Sequence, residues 1–257
     1  MTSTAQHSTT RAPRVSPTPR RAVLVFLGYL LVFYGVWVMT GIKYEHIGDD
    51  ASTLLRWYVA PLAAAAVYLI VVVGWLGWWR PVLREELRGP RWAAIPAVLL
   101  VLLAGSILLS KSYSSTTTMM FVYGVLGSIG VGFGEEVAAR GVLLAGFRSA
   151  MTERRAWWWS TLLFGLMHLP NWFFGLGPSA IAQVGTAFIG GCTFYLMRRA
   201  TGGLVAAMVV HGIWDFATFV GKGAAGLALM AVGINVLALV LAIFVARRPA
   251  RLAPAAA

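Results

Sequence analysis

Charged side chains are scarce in this chain, and acidic side chains are scarcer still. Charged residues make up 12% of the 257 residues and hydrophobic residues 59%, whereas a soluble domain carries about 25% charged residues. The composition excludes an ordinary soluble domain and predicts an all-α, polytopic membrane protein built as one helix bundle. Nine acidic and 21 basic residues give a formal net charge of +12. Because the basic residues flank apolar stretches, they indicate anchoring at the membrane edge and no nucleic-acid partner.

Cysteine and several common catalytic signatures are also missing. The single cysteine, Cys192, excludes an intramolecular disulfide and a cysteine-based metal cage. The sequence has neither the Gly-x-Ser-x-Gly elbow of serine hydrolases nor the His-Glu-x-x-His helix of common zinc proteases. The glycine-rich stretches at 127–134 and 220–223 do not match the spacing of nucleotide-binding loops. Any chemistry must therefore come from other residues.

Long apolar stretches, in contrast, are abundant. A membrane-spanning helix needs about 20 mostly apolar residues, and eight stretches are predicted as spans: 22–40, 55–79, 92–110, 117–147, 156–174, 178–198, 203–220 and 224–246. Pro170 predicts that the fifth helix breaks early.

The two ends of the chain differ from this apolar middle. Residues 1–21 are rich in Ser, Thr, Pro and Arg and predict a disordered basic tail on the cytoplasmic side. Residues 249–257 are predicted to be a short C-terminal tail. Between the two tails, residues 22–248 are expected to form a single transmembrane domain.

The basic residues predict the orientation of the bundle. One set flanks the spans on one side: Arg11, Arg14, Arg20, Arg21, Arg80, Arg84, Arg88, Arg91, Arg148, Arg154, Arg155, Arg198, Arg199, Arg247, Arg248 and Arg251. The other side carries Lys43, Arg56, Lys111 and Lys222. Since basic residues concentrate in cytoplasmic loops, we expect a multi-pass cell-membrane protein with both termini in the cytoplasm.

Six ionisable residues fall in predicted spans well away from the span ends, where each costs about 2.5–3.5 kcal/mol or more. They are Glu135, Glu136 and Arg140 in the fourth span, His168 in the fifth, and His211 and Asp215 in the seventh. With a rise of 1.5 Å per residue, the side chains on all three helices lie about 12–18 Å from the same membrane edge. This common depth predicts one polar cavity lined by three helices.

The spacing of these residues suggests their roles. Glu136 and Arg140 are four apart and can pair on one helix face, which leaves Glu135 free to act as a base. Asp215 is four residues after His211, so it could orient that histidine or contribute to the site directly. A glutamate with two histidines suits the activation of water. The same residues also suit zinc, so the residues alone leave a metal open.

Three motifs together resemble one known family. They are Glu135-Glu136-x-x-x-Arg140, Phe164-x-x-x-His168 and His211-x-x-x-Asp215. In order, spacing and placement they are similar to the motifs of the CPBP family of intramembrane proteases. This family comprises the CAAX prenyl proteases and bacteriocin-processing enzymes, and is also called Abi. The similar core covers residues 117–220.

The resemblance implies an intramembrane endopeptidase without a cofactor, acting on a membrane-associated or prenylated peptide or protein at the lipid bilayer. It implies that Glu135 is the general base and that His168 shares the attacking water. His211 and Asp215 would form the oxyanion-stabilising side. The resemblance makes Glu136, Arg140 and Phe164 supporting residues. Prenyl proteases often carry Asn where this chain has Asp215, and only a protonated Asp can donate a hydrogen bond as Asn does.

Two other functions use the same polar cavity. Buried Glu, His and Asp chains also form the proton relays of ion-coupled transporters, although the repeats typical of transporters are not evident. A non-catalytic membrane or immunity protein is the other alternative.

Overall fold

The computed structural model describes residues 13–247. Regular structure in these residues is helical, apart from two isolated antiparallel bridges. Eight helical segments form the bundle: α1 Pro19–Thr40, α2 Ala51–Leu76, α3 Arg91–Ser110, α4 Thr118–Arg148, α5 Glu153–Leu166, α6 Ser179–Thr201, α7 Val205–Phe219 and α8 Ala225–Arg247. Shorter helical turns lie between them: Tyr44–His46, Trp79–Leu83 and Leu169–Phe174.

The helical, multi-pass membrane architecture is confirmed. Six of the eight segments, namely α1, α2, α3, α4, α6 and α8, are long and apolar enough to cross a membrane. The other two, α5 and α7, have 14 and 15 residues. At 1.5 Å per residue they extend about 21–23 Å, less than the roughly 30 Å hydrocarbon core. Eight complete crossings and cytoplasmic termini therefore stay predictions.

The ends of the described region refine the predicted boundaries. Helix α1 begins at Pro19, and the Thr18 side chain accepts a hydrogen bond from the backbone N–H of Arg21, as an N-cap does. Ahead of it, the Val15 backbone N–H donates to the Leu76 carbonyl at 3.3 Å. Residues 1–12 and 248–257 lie outside the described residues. They include the predicted C-terminal tail, most of the N-terminal tail, and Arg11, Arg248 and Arg251.

Helix α5 breaks early, as Pro170 predicted. Its α-helical turns end at Leu166, and a 3₁₀ helix, Leu169–Phe174, follows with the proline in its first turn. Proline has no backbone N–H and clashes with a preceding helical turn, so the α-helix cannot continue through it. His168 consequently lies at the junction of the two helices.

Glycines bring α4 and α7 unusually close together. A Cβ atom added to Gly132 would lie 2.3 Å from the Met208 carbonyl oxygen, and one added to Gly212 would lie 2.9 Å from the Ser128 carbonyl oxygen. Close backbone contact of this kind is typical of small residues at membrane helix interfaces. The contact brings His211 next to the two adjacent glutamates of α4.

A buried ion-pair network ties the helices together at one end of the bundle. Glu85 pairs with Arg198 at 2.9 Å and with Arg148 at 3.0 Å, and Glu153 pairs with Arg148 at 2.7 Å and with Arg199 at 2.8 Å. These residues lie at or beside helix ends that the basic-residue pattern assigned to one side. We call this the basic end, and the opposite one the far end. At the far end Lys111 Nζ donates to the carbonyl oxygens of Thr218 and Val220 at 2.9 and 2.8 Å.

Candidate active site

Glu136 is the buried centre of the site. Its Oε1 accepts a hydrogen bond from Arg140 Nη1 at 2.8 Å and lies 2.9 Å from His211 Nδ1. Glu136 and Arg140 are 0% and 1% exposed. The structure therefore contains the Glu136–Arg140 pair that the spacing predicted. It also shows that the partner of His211 Nδ1 is Glu136, and the orienting role considered for Asp215 stays a prediction.

Aromatic rings hold the Arg140 guanidinium. The guanidinium carbon lies 3.7 Å from the centre of the Phe164 ring and 5.4 Å from that of Phe194. Cation–π contacts of this kind contribute about 2 kcal/mol when they are desolvated. Arg140 belongs to a π-helical turn, Val137–Leu143, and such turns inside α-helices are frequent at functional sites. Phe164 thus acts on the site indirectly, because its ring holds the Arg140 guanidinium in place. This contact is the physical basis for the supporting role predicted for Phe164.

Hydrogen bonds fix the orientation of both imidazole rings. His168 Nδ1 lies 3.0 Å from the Phe164 carbonyl oxygen. Because a carbonyl can only accept, Nδ1 carries the proton and Nε2 of the neutral ring keeps its lone pair. His211 Nδ1 faces the Glu136 carboxylate in the same way, and the His211 ring stacks on Phe194 at 4.2 Å. Both rings therefore turn their Nε2 atoms away from these partners.

The two Nε2 atoms converge on Glu135. Oε2 of Glu135 lies 3.9 Å from His168 Nε2 and 3.8 Å from His211 Nε2. These separations are too long for direct hydrogen bonds. They suit a water molecule that is hydrogen-bonded to two of the three atoms at once. The depth argument from the sequence predicted that these three helices meet, and the structure brings the three side chains together.

Asp215 lies one helical turn beyond His211 on α7 and lines the same cavity. Within residues 13–247 its carboxylate makes no hydrogen bond or ion pair with another side chain. The backbone carbonyl of Asp215, in contrast, accepts a hydrogen bond from the Thr218 hydroxyl. The carboxylate is therefore available to a molecule in the cavity.

The site opens into a large, mainly apolar cavity of about 430 Å³. Aromatic and aliphatic residues of α1, α2 and α8 line much of it, among them Phe33, Trp37, Tyr58 and Leu229. The sequence analysis assigned no functional residue to these three helices. Aromatic residues are common at membrane interfaces in general. Nothing in the sequence therefore marked the aromatic residues of these helices as cavity lining.

Neutral polar groups form a chain along one wall of the cavity. The Tyr34 hydroxyl lies 2.6 Å from the Met167 carbonyl oxygen and 3.0 Å from Asn171 Oδ1. The Asn171 amide donates to Gln183 at 2.7 Å, and Gln183 donates to the Tyr44 hydroxyl at 3.0 Å. We call these four side chains the polar strip. Sequence reasoning missed it, although Asn171 and Gln183 are visible as polar residues inside apolar stretches.

The described residues do not offer a ready metal site. Among residues 13–247, no group of three or more His, Cys, Asp and Glu side chains is placed to hold a metal ion. A cofactor-free site stays a prediction.

Comparison with known proteins adds one match. Residues 117–217 match the family model described as Rce1-like, type II CAAX prenyl endopeptidase. No curated protein and no solved structure matches the chain. The matched residues contain all six intramembrane ionisable residues and Phe164, which confirms the resemblance stated above. Helices α1, α2, α3 and α8 lie outside the match.

Proposed function

We propose that this protein is a glutamate-dependent intramembrane endopeptidase, since its residues 117–217 are similar to the Rce1-like family of type II CAAX prenyl endopeptidases. The observation that supports this best is the convergence of two imidazole Nε2 atoms on the Glu135 carboxylate, at 3.9 and 3.8 Å. A proton relay of a transporter does not require two histidines to point at one carboxylate oxygen. A water-activating site requires a base within reach of the water, and a second acceptor fixes the orientation of that water.

The first step is the attack of water. A water molecule donates one hydrogen bond to Glu135 Oε2 and the other to the lone pair of His168 Nε2. Glu135 takes the first proton while the water oxygen forms a bond to the carbonyl carbon of the substrate. The π electrons of that carbonyl move to its oxygen and give an oxyanion. Holding the water between two fixed acceptors reduces the entropy lost in reaching this geometry.

The oxyanion is stabilised from the α7 side of the cavity. His211 can bind a second proton at Nε2, since the Glu136 carboxylate at Nδ1 stabilises the imidazolium form. The Nε2–H then donates to the oxyanion, and a protonated Asp215 would donate beside it. The intermediate collapses when its C–N bond breaks. The oxyanion electrons re-form the C=O bond, and the leaving nitrogen receives the proton that Glu135 took from water. The products are therefore a peptide with a new C-terminal carboxyl group and an amine, between which the remaining proton then passes.

The apolar cavity suits a substrate that is itself membrane-associated. Its lining is mostly aliphatic and aromatic, so an apolar anchor can pass from the lipid into the cavity without leaving apolar surroundings. We therefore propose a peptide carrying a prenyl group or another apolar anchor as the substrate. We also propose that no metal takes part in the reaction.

The test is cleavage of a fluorescence-quenched farnesylated peptide by the purified protein in liposomes. Glu135→Gln keeps the size of the side chain and removes the base, so we expect the rate to fall by about 10²–10⁴-fold. Glu86→Gln, at an exposed position of the basic end, is the matched control and should not change it. Cleavage at the wild-type rate by Glu135→Gln would refute the glutamate mechanism. Loss of activity with a chelator, restored by zinc, would refute the metal-free one.

A further inference from the structure

Tyr29 lies in the middle of α1, and its hydroxyl has no hydrogen-bond partner among residues 13–247. The residue is 2% exposed and lines the cavity. The unpaired side-chain oxygens that are sealed inside this part of the chain belong to Glu136 and Thr161, so the Tyr29 hydroxyl faces the cavity. Most buried polar groups in native proteins are hydrogen-bonded. A hydroxyl that is buried, unpartnered and open to a cavity therefore points to a ligand held there.

The tip of the Tyr29 ring packs against the residue that precedes Glu135. A Cβ atom added to Gly134 would lie 3.2 Å from the Tyr29 hydroxyl oxygen and 3.3 Å from its ring carbon Cε2. The missing side chain at Gly134 lets the hydroxyl come this close to α4. Glu135 lines the same cavity, and Tyr29 is near enough for an electrostatic interaction with its carboxylate. Helix α1 thus places a hydroxyl beside the proposed base.

The groups already assigned beside the water are acceptors. The Glu135 carboxylate and the lone pair of His168 Nε2 can each accept a hydrogen bond from it. A peptide substrate, however, brings carbonyl oxygens besides the one that reacts, and each loses its hydrogen bonds to water when it enters an apolar cavity. Such an oxygen needs a donor. The O–H group of Tyr29 can donate to it and carries no charge.

We propose that Tyr29 is a further substrate-binding residue, whose hydroxyl donates a hydrogen bond to a peptide carbonyl next to the scissile bond. This inference rests on the proposed peptidase function for the identity of the ligand. It gives a role in the site to α1, which lies outside the matched residues 117–217. Because the bond is present both in the bound substrate and in the transition state, it contributes to binding and not to the chemical step.

Tyr29→Phe removes the hydroxyl and keeps the ring. We expect KM for the farnesylated peptide to rise about two- to tenfold with kcat unchanged, as for the loss of one neutral hydrogen bond. The Tm should not fall, because the hydroxyl holds no other part of residues 13–247. Tyr68→Phe is the matched control. The Tyr68 hydroxyl also packs against a glycine of α1, Gly28, but Tyr68 does not line the cavity, so KM should stay at the wild-type value.

The same bond can be measured without catalysis, by fluorescence binding of the peptide to Glu135→Gln protein in liposomes. Adding Tyr29→Phe should weaken peptide binding by the same factor. It should leave unchanged the binding of farnesyl methyl sulfide, which carries the anchor but no peptide carbonyl.

Unchanged peptide binding, equal weakening of both ligands, or a fall in kcat at constant KM would each overturn the proposal. Failure here is distinguishable from failure of the peptidase proposal, because that proposal depends on cleavage by the wild type and by Glu135→Gln, whereas the binding measurement needs no cleavage.

Discussion

At the scale of single residues, the two adjacent glutamates have separate tasks. Glu136 is fully buried between Arg140 and His211, whereas Glu135 faces the cavity with 14% of its side chain exposed. The i, i+4 spacing was sufficient to predict the pairing of Glu136 with Arg140, since it depends on one helix. The contact with His211 joins two helices, and its distance depends on the glycine-mediated packing of α4 against α7. That distance could not be obtained from the sequence.

Replacement of Glu136 tests its role as the shared partner. In Glu136→Gln, Arg140 keeps its charge but loses its buried counter-ion, and we expect the protein to lose about 3–5 kcal/mol of stability. Thermal unfolding in detergent should show this as a large fall in Tm. Glu86→Gln, at an exposed position, should change stability by no more than about 0.5 kcal/mol. An unchanged Tm in Glu136→Gln would mean that the ion pair is not important for folding.

Asp215 is the residue whose proposed role depends most on its protonation state. If its side chain donates a hydrogen bond to the oxyanion, Asp215→Asn should retain activity within about tenfold, since an amide also donates. Asp215→Leu cannot donate and should lose about 10²–10³-fold in kcat, as for other oxyanion donors. The measurement is kcat for both variants with the same peptide. Equal activity of the Asn and Leu variants would exclude this role.

At the scale of helices, the site depends on how closely α4, α5, α6 and α7 approach. The break in α5 was predictable from Pro170, because the effect of proline is local. The π turn in α4 and the rings around Arg140 were not, because no local signal specifies them. Gly191 on α6 shows the requirement most clearly. A Cβ atom there would lie 2.2 Å from Arg140 Nη2 and 3.2 Å from a ring carbon of Phe164.

Gly191→Ala should therefore displace Arg140 from its position between the rings. Overpacking of this kind costs about 1–3 kcal/mol, and we expect both a lower Tm and a lower kcat. Gly185→Ala is the matched control on the same helix, because a Cβ atom there meets nothing within 4 Å. It should leave kcat unchanged and keep or slightly raise the Tm, since alanine is the better helix former. Equal effects of the two substitutions would contradict the close contact at Gly191.

At the scale of the whole molecule, the candidate active site and the buried ion-pair network of the basic end are separate polar regions. Hydropathy and the common depth of the ionisable residues predicted a helical membrane bundle with a polar site inside it. They did not predict the apolar cavity, because part of its lining comes from helices without any motif. They also placed Arg148, Arg198 and Arg199 only at a membrane edge. The structure pairs these arginines with Glu85 and Glu153 in a buried network that connects four segments of the chain.

We expect this network to make the stability of the protein depend on pH. Burial by itself raises the pKa of Glu153, but the hydrogen bond from Arg148 and the charges of Arg148 and Arg199 outweigh it, so the pKa is below its ordinary value. A carboxylate with a lowered pKa in the folded state stabilises the protein fully above its unfolded pKa of about 4.3. This stabilisation is lost as the pH falls through the folded-state pKa.

We expect Tm in detergent to be nearly constant from about pH 7 to 5 and to fall at lower pH. Glu153→Gln should lower Tm at pH 7 and make the decline below pH 5 shallower, whereas Glu86→Gln should follow the wild-type curve. A Glu153→Gln profile parallel to that of the wild type would show that this ion-pair network does not control acid stability.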